Sequence, residues 1–478
     1  MRNTHFKILS VAAGLFIFSG CSDRLELQPE QSLSESLAFA SGANAQASLL
    51  GVYSQAQLLE AFGSGPQILE DFMADNTEFV GSFPTLQDIN LYVTTSPNAT
   101  IQAYWQVQYR IIIAANAVIA NVPTIQDPLL TPALAAQYVA EAKFLRAITY
   151  FNLVNQFGQP YQVQNGNTPG VPLVLTPFTG EITFPERATV NQVHQQIQKD
   201  LTEALADLPV TYSNNSQTRG RATKGAAAGF LARLHLYRGE FQQAASFASQ
   251  VISSANYAVA GNFGFYGATP TPEHVFALMN SATDNGRTGS GGWASYHRPA
   301  ANGGRGDCAF TTDLVNAFLA EPGDKRYTDL SNLVTAADGQ RRQMTTKFND
   351  AVTNTDVAPI MRTSEIYLTR AEALAELNGI NQESITLVNA IRSRAGLPAW
   401  TTSTFSTKEA LVNAILTERR KELCFEGHRR MDLLRRGQAL RRTGTAVAAS
   451  AFGQPRTILP IPQREIDLNP NLTQNAGY

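Results

Sequence analysis

The feature that most limits the fold of this chain is a helical hairpin that occurs twice. The first copy runs from Gly225 to Arg238, turns at residues 239–240 and continues from Phe241 to Ser253. The second copy spans residues 362–377 and 382–394. Both have roughly the period of a tetratricopeptide repeat. Because one such hairpin cannot bury its apolar face alone, the repeats predict an all-α superhelical scaffold of tetratricopeptide-like hairpins that pack on each other.

Four further segments show the apolar spacing of a core-facing helix. They are residues 45–62, 101–121, 134–157 and 190–208. Thr189 and Gln192 form a predicted capping box at the start of the last one. In the 101–121 helix, Trp105 and Tyr109 lie on the apolar stripe and are assigned to the core. Asn116 lies on the same stripe, so it is predicted to be a buried polar group that needs hydrogen-bond partners.

The helical pattern is interrupted in the middle of the chain. We divide a single α-helical domain, residues 21–478, into a helical-repeat part at about 37–254, a loop-rich part at about 255–358 and a second repeat with its tail at 359–478. Long loops inside a compact domain are usually functional or disordered. The sequence therefore predicts a helical scaffold whose long irregular loops and few short strands carry the binding site.

The N-terminus has the organisation of a secretory leader. Arg2 and Lys7 flank the start of an apolar run at residues 8–18 that is too short to span a bilayer. Small residues then precede Cys21, as in the lipobox of bacterial lipoproteins, in which the cysteine is acylated. We therefore expect residues 1–20 to be removed and Cys21 to carry a lipid anchor. The alternative is an ordinary leader followed by an unmodified cysteine.

The composition excludes several classes of function. Charged residues make up only 16% of the 478 residues and the formal net charge is −2, so a nucleic-acid partner is not expected. No common catalytic motif is present and the histidines, among them His274 and His297 in predicted loops, lack metal-ligand spacing. We expect no catalytic residue, no metal and no cofactor. Cys308 and Cys424 have no CxxC spacing and are expected to stay unpaired.

A charged helix is predicted near the C-terminus, within residues 410–437. Its apolar stripe continues onto Glu422 and Glu426, four residues apart, which repel each other unless cations neutralise them. Three arginines of the same stretch are placed to do so; they are Arg419, Arg429 and Arg430. An ion-pair network that locks this helix to its neighbours is favoured over a catalytic carboxylate pair, because nearby arginines keep carboxylates ionised.

The same stretch resembles a known family. Residues 418–437 (ERRKELCFEGHRRMDLLRRG) are similar to the E-R-x-x-E-[LF]-x-F-E-G-x-R-x-x-D-L-[LI]-R-x-G signature of SusD/RagB-like outer-membrane nutrient-binding lipoproteins. The closing segment, residues 459–478, resembles the tail of that family. The lipobox at Cys21, the W-x-x-x-Y-x-x-I-x-x-x-N pattern at residues 105–116 and the segment 392–398 extend the resemblance over nearly the whole chain.

The resemblance implies a lipoprotein anchored in the outer membrane and facing the cell exterior. Such a protein captures a nutrient, usually an oligosaccharide and less often a peptide, and delivers it without catalysis to a TonB-dependent transporter of the SusC type. The helical repeats are the expected face for that transporter. Two alternatives stay open: a surface glycan-cleaving α-helical hydrolase, and a repeat adaptor with no small-molecule ligand.

The binding residues do not carry over from the family and are inferred from this chain alone. Trp293, Tyr296 and Arg298 are crowded into a Gly-rich loop at residues 290–307, where they are not expected to be core. An aromatic face suits the C–H groups of a sugar, and polar side chains suit its hydroxyls. The alternative is that these aromatics pin the loop to the helices. A second loop, residues 70–100, is expected to converge on the same site. This loop contains Asp75, Asn76, Phe79, Phe83 and Tyr92, of which Asn76, Phe79 and Tyr92 are the predicted binding residues.

Overall fold

The computed structural model of the protein describes residues 35–285 and 291–478. The predicted leader, Cys21 and residue 290 of the Gly-rich loop lie outside the described residues. The helices are α1 (Glu35–Ala38), α2 (Gly42–Ala56), α3 (Gly65–Phe72), α4 (Pro84–Asn90), α5 (Ala99–Asn121), α6 (Pro132–Phe157), α7 (Val190–Asp207), α8 (Asn215–Gly220), α9 (Lys224–Arg238), α10 (Phe241–Ile252), α11 (Trp293–His297), α12 (Thr312–Leu319), α13 (Lys325–Thr328), α14 (Thr363–Asn378), α15 (Gln382–Arg394), α16 (Lys408–Leu423), α17 (Arg429–Leu434) and α18 (Gln463–Leu468). The strands are β1 (Thr77–Phe79), β2 (Pro169–Pro172), β3 (Arg187–Thr189), β4 (His274–Leu278), β5 (Cys308–Phe310), β6 (Ser331–Thr335), β7 (Arg341–Thr345) and β8 (Ala358–Arg362).

The predicted helical hairpins form the scaffold. Helices α9 and α10 make the first hairpin, α14 and α15 make the second, and α10 packs directly on α14. On the N-terminal side α6 packs on α7, which packs on α9, and on the C-terminal side α14 also packs on α16. Each helix thus covers the apolar face of its neighbour, which confirms the predicted all-α repeat architecture.

Local features of the sequence explain where these helices begin and how closely they pack. The capping box is present at α7: the Thr189 hydroxyl accepts from the backbone N–H of Gln192, and the Gln192 side chain accepts from that of Thr189. The small residues of α9 allow close approach of β8, because a Cβ on Gly229 would come within 2.4 Å of Met361 Sδ. Asn116 has the partners that its buried position requires: its Nδ2 donates to the carbonyl oxygen of Val174 at 2.9 Å.

The strands form four two-stranded antiparallel pairs in the described part of the chain: β1 with β5, β2 with β3, β4 with β8 and β6 with β7. All are short, as the sequence predicts. Strands β4 to β8 lie between the two hairpins, whereas β1, β2 and β3 precede the first hairpin. The two histidines predicted in loops lie elsewhere. His274 belongs to β4 and His297 ends α11, and both are buried in the core, where burial lowers the pKa of each imidazole to about 4.

The single charged helix predicted within residues 410–437 is wrong, because the helix breaks. Helix α16 ends at Leu423 and α17 begins at Arg429. In the connection, Phe425 has a φ of 67° and Gly427 a φ of 75°, a left-handed conformation that ends a helix. Gly427 also passes close to α3, since a Cβ there would lie 2.7 Å from Gln67 Cα.

The predicted ion-pair network is present, but its cations differ from those expected. Arg394 Nη2 lies 2.5 Å from Glu422 Oε1, while Glu426 binds Arg362 Nε at 2.8 Å and Lys347 Nζ at 2.9 Å. All five side chains are buried. Burial favours the neutral acid, but the arginines outweigh it and lower the pKa of Glu422 to about 2. Because the chain bends after Leu423, the expected arginines reach other acids.

Those three arginines are also buried and paired. Arg419 binds Asp432 at 2.8 Å, Arg429 binds Asp75 at 2.6 Å and Arg430 binds Glu70 at 3.0 Å. The signature stretch therefore joins both halves of the fold, since Glu70 and Asp75 belong to the N-terminal part.

Cys308 and Cys424 are both buried and not joined to each other. Trp105 is core as predicted, whereas Tyr109 is only partly buried, with its hydroxyl donating to the carbonyl oxygen of Pro172 at 2.9 Å.

No helix in the described ranges is long and apolar enough to cross a membrane.

Candidate functional site

The two loops that were predicted to carry the site lie side by side. Strand β1, within the 70–100 loop, pairs with β5, which follows the Gly-rich loop, and places Thr77 opposite Phe310. Beyond this pair, the backbone N–H of Val80 donates to the carbonyl oxygen of Asp307 at 2.8 Å. The two loops therefore converge as expected.

Where the loops meet, Arg305 lies between two aromatic rings. Its guanidinium carbon is 4.0 Å from the ring centroid of Phe83 and 4.5 Å from that of Tyr296. Phe83 is 47% exposed and Tyr296 is partly exposed. A guanidinium over a ring face is attracted by the ring quadrupole, so the three side chains hold one another in place. We call Phe83, Tyr296 and Arg305 the aromatic surface.

Local backbone constraints fix the two rings. Phe83 precedes Pro84, the first residue of α4, and a residue before proline is held extended; its φ is −80° and its ψ is 112°. Phe83 thus stands outside the helix at the chain bend. Tyr296 lies on the short helix α11, and its ring packs edge-on against Phe72, with centroids 6.4 Å apart.

Arg305 is held in place by contacts with residues of its own loop. It forms an ion pair with Asp307, and its backbone N–H donates to the carbonyl oxygen of Ser295 at 2.6 Å. Burial raises the pKa of Asp307, and the Arg305 guanidinium opposes that rise. Gly81 leaves room for this pair, because a Cβ there would come within 2.4 Å of Asp307 Oδ1.

Polar side chains flank the two loops. Arg298 Nη1 donates to Asn349 Oδ1 at 3.4 Å, and Arg342 bridges Glu78 at 3.2 Å and Asp338 at 2.7 Å. An aromatic centre with hydrogen-bonding groups around it is the arrangement expected of a site that binds a polar ligand with apolar faces.

Trp293 does not belong to an exposed platform, contrary to the expectation from the sequence. Its side chain is fully buried, and its ring packs on Phe348 with centroids 4.9 Å apart. The loop segment folds into α11, which turns Trp293 and His297 inward and leaves Tyr296 nearer the surface. Trp293 therefore fits the alternative given in the sequence analysis, in which the aromatic side chains attach the loop to the helices.

The candidates from the 70–100 loop are also buried. Asn76 Oδ1 accepts from Arg420 Nε at 2.7 Å, and the Phe79 ring packs on Phe72 with centroids 5.1 Å apart. The hydroxyl of Tyr92 donates to the carbonyl oxygen of Met73 in the interior. These three residues support the loop from behind and present no face to a ligand. Of the predicted candidates, only Tyr296 and Arg298 remain partly exposed.

Two residues of the aromatic surface, Phe83 and Arg305, were not among the predicted binding residues, although Phe83 was noted in the 70–100 loop. Phe83 has a local signal, since an aromatic residue between Gly81-Ser82 and Pro84 belongs to a turn with little core around it. Arg305 has no comparable signal, because its position between the rings depends on the contact between two distant loops.

Acids with a raised pKa do not form a surface pair in the part of the chain that the structure describes. Burial raises the pKa of Glu70, Asp71 and Asp307. Each of the three is buried: Glu70 and Asp71 in α3, Asp307 beneath Gly81.

Comparisons with known proteins agree with this architecture. A family model described as the SusD family matches residues 341–478, and one described as starch-binding associating with outer membrane matches residues 25–236. The chain is 27% identical to a SusD-like protein of Formosa agariphila over 99% of both chains. It is 24% identical to the starch-binding protein SusD of Bacteroides thetaiotaomicron, over 73% of this chain and 74% of that protein. A solved SusD superfamily structure from Bacteroides thetaiotaomicron superposes with a TM-score of 0.81 at 27% identity, over 91% of this chain and 99% of that chain.

The chain is a SusD/RagB-like protein. The resemblance inferred from its motifs is therefore confirmed. The two family models leave out residues 237–340, and with them Tyr296 and Arg305.

Proposed function

We propose that this protein captures an oligosaccharide at the aromatic surface. The observation that carries the proposal is the stack of Phe83, Arg305 and Tyr296, formed where two distant loops meet. A ring face offers an apolar platform to the C–H groups of a sugar. A guanidinium beside it brings planar N–H donors to the sugar hydroxyls.

The relatives support a carbohydrate as the ligand. One matched family model is described as starch-binding, and one relative is named a starch-binding protein. The light charge of the chain is compatible with a neutral glycan. A peptide-binding member of the same family is the second possibility, and the experiment below separates the two ligands.

We also propose that capture is non-catalytic and serves transport. The bound glycan would pass to a TonB-dependent outer-membrane transporter of the SusC type, while a lipid on Cys21 holds the protein at the outer membrane, facing the cell exterior. The description of one family model as associating with the outer membrane supports that location. The burial of Glu70, Asp71 and Asp307 supports the absence of a catalytic pair.

The test is isothermal titration of soluble oligosaccharides and mixed peptides into the wild type, Phe83→Ala and Phe184→Ala. Phe184 is a matched control, because it is 45% exposed and lies on a different surface. We expect one class of glycan to bind, and Phe83→Ala to lower its affinity about fivefold to thirtyfold, the cost of losing about 1–2 kcal/mol of apolar contact. Phe184→Ala should bind like the wild type.

Other outcomes assign other functions. Binding of peptides alone would indicate the peptide-capturing role, and no binding of any ligand would favour the adaptor. Release of shorter sugars during prolonged incubation, followed by chromatography, would establish a hydrolase. Equal loss of affinity in both phenylalanine variants would contradict the aromatic surface as the site.

The transport role has a separate test. The wild type would be purified from detergent-extracted envelopes with an affinity tag, and Cys21→Ala would be followed in the envelope and soluble fractions. We expect the wild type to bring with it a membrane protein of the transporter's size, and Cys21→Ala to leave the outer membrane. Wild type that is purified alone, from cells grown on the bound glycan, would contradict the partnership.

A further inference from the structure

A cavity beside α12 and α16 has none of the three residues of the aromatic surface in its lining. It has a volume of about 460 Å³ and is bounded by α12, α16, α17 and the segment after α17. Three arginines line it: Arg420, Arg429 and Arg442. We propose that this cavity is a binding site for an acidic sugar, whose carboxylate or sulfate ester is held by these arginines.

The three guanidinium groups converge on one buried carboxylate, that of Asp75. Arg429 holds it most closely, with Nε 2.6 Å from Oδ1 and Nη2 2.9 Å from Oδ2. Arg420 Nη2 is 3.5 Å from Oδ1 and Arg442 Nε is 3.4 Å from Oδ2. Burial would raise the pKa of Asp75, but the arginines lower it below its usual value, so the acid is ionised.

The charges around the cavity do not balance. Besides Asp75, Asp313 at the rim binds Arg420 Nη1 at 2.7 Å. Asp432 also lines the cavity, but it is neutralised elsewhere, by Arg419 at 2.8 Å and Arg435 at 2.9 Å. Three cations against two carboxylates leave one positive charge. A net positive cavity in a chain whose formal net charge is −2 marks a place for an anion.

Arg442 is the arginine best placed to meet a ligand. Its side chain is 52% exposed, whereas the side chains of Arg420 and Arg429 are buried. A guanidinium has five N–H donors, and a planar pair of them matches a carboxylate or a sulfate. Arg442 makes one contact of 3.4 Å with Asp75, and Arg429 already holds that acid. Arg442 can therefore bind a second anion.

The remaining lining indicates that the anion is part of a larger polar molecule. Amide and hydroxyl groups surround the arginines; they belong to Asn316, Asn413, Thr417 and Gln438. A cavity of this size is larger than one inorganic ion requires and is in the range of small-molecule sites. Hydroxyl-bearing ligands satisfy such groups. The choice of a sugar as the carrier rests on the proposed function, whereas the anion site itself does not.

The experiment is titration of the full chain in detergent with four probes: glucuronate, glucose 6-sulfate, glucose and inorganic sulfate. The variants are Arg442→Gln, Arg442→Lys and, as a matched control, Arg464→Gln. Arg464 is exposed on α18 and does not line the cavity. Circular dichroism and thermal unfolding check that every variant is folded.

We expect glucuronate or glucose 6-sulfate to bind and glucose not to bind. Arg442→Gln should weaken that binding about tenfold or more, because charge-assisted hydrogen bonds are lost. Arg442→Lys should be intermediate, and Arg464→Gln should match the wild type. Added salt should weaken the binding.

Three results would overturn the proposal. These are no binding of either acidic sugar, binding that Arg442→Gln leaves unchanged, and binding of inorganic sulfate without either acidic sugar. A neutral oligosaccharide that still depends on Phe83 would show that the proposed function survives such a failure.

Discussion

Two arginines of this protein each lie over one phenylalanine and one tyrosine ring, but they have different roles. Arg362 lies over the rings of Phe265 and Tyr266, at 5.1 Å and 5.5 Å, and Arg305 lies over those of Phe83 and Tyr296, at 4.0 Å and 4.5 Å. Arg362 is fully buried and bound to three acids, which are Glu273, Glu422 and Glu426. Arg305 lies beside an exposed ring and forms an ion pair with Asp307.

The difference shows how burial decides what such a stack does. Around Arg362 the donors are used inside the protein, so the stack joins β8 to the segment between α16 and α17. Around Arg305 one ring faces solvent, and a ligand can take the place of water on it. The same residue types therefore stabilise the fold in the first case and form a candidate binding site in the second.

Removing the buried arginine should have the largest effect. Arg362→Met removes a buried cation that Glu273, Glu422 and Glu426 share. We expect a loss of about 3–5 kcal/mol in the free energy of unfolding, because excess negative charge is then left in the interior. Urea denaturation followed by circular dichroism measures it. Arg342→Met, at a partly exposed ion pair, should cost at most about 1 kcal/mol. If both variants lost the same free energy of unfolding, burial would not explain how much an arginine contributes to stability.

Trp293→Ala is expected to have the second-largest effect on stability. Truncation of this buried ring leaves a cavity, and we expect a loss of about 3–5 kcal/mol in stability. Glycan affinity, measured at a temperature at which the variant is folded, should fall less than in Phe83→Ala. If the variant kept its stability but no longer bound the glycan, Trp293 would be part of the binding site.

The buried region should also be sensitive to acid. Burial lowers the pKa of His297 to about 4, below the value of about 6.5 expected in the unfolded chain. The unfolded state therefore takes up the proton first, so this contribution is complete above pH 6.5 and is lost as the pH falls through 4. At about 1.4 kcal/mol per pKa unit, protonation of His297 lowers the free energy of unfolding by about 3 kcal/mol.

The measurement is the free energy of unfolding between pH 7 and pH 4, for the wild type and His297→Gln. The variant should show a shallower pH dependence over this window. An identical slope would show that the histidine does not contribute. Glycan affinity should stay constant between pH 6.5 and pH 8.

The smallest effect is expected for Arg305→Lys. Lysine keeps the positive charge but loses the planar donors and the stacking face. We expect the glycan affinity to fall by about 1 kcal/mol, or roughly fivefold, with little change in stability. Unchanged affinity by isothermal titration would mean that Arg305 only supports the rings.

The helices could be predicted from the sequence because their signals are local. Apolar spacing and the Thr189 capping box gave the helical repeats, and the signature stretch gave the family. The break after Leu423 was missed although Gly427 lies in it, because its first left-handed residue, Phe425, is not a glycine. The cations of Glu422 and Glu426 come from distant segments, so sequence spacing pointed to the wrong arginines.

The candidate site was less predictable, because the sequence does not say which way a ring faces. Trp293 and Tyr296 are three residues apart in the same Gly-rich loop, yet one is core and the other is at the surface. Their direction is set by the turn of α11 and by packing on Phe72 and Phe348. Such contacts join segments far apart in the chain.

The most direct test of the account is a crystal structure of the protein with the glycan that binds most tightly in the titration. We predict a sugar ring lying on Phe83 or Tyr296, with a hydroxyl within hydrogen-bonding distance of Arg305. A glycan bound elsewhere, with the aromatic surface occupied only by water, would contradict the proposal that this surface captures the ligand.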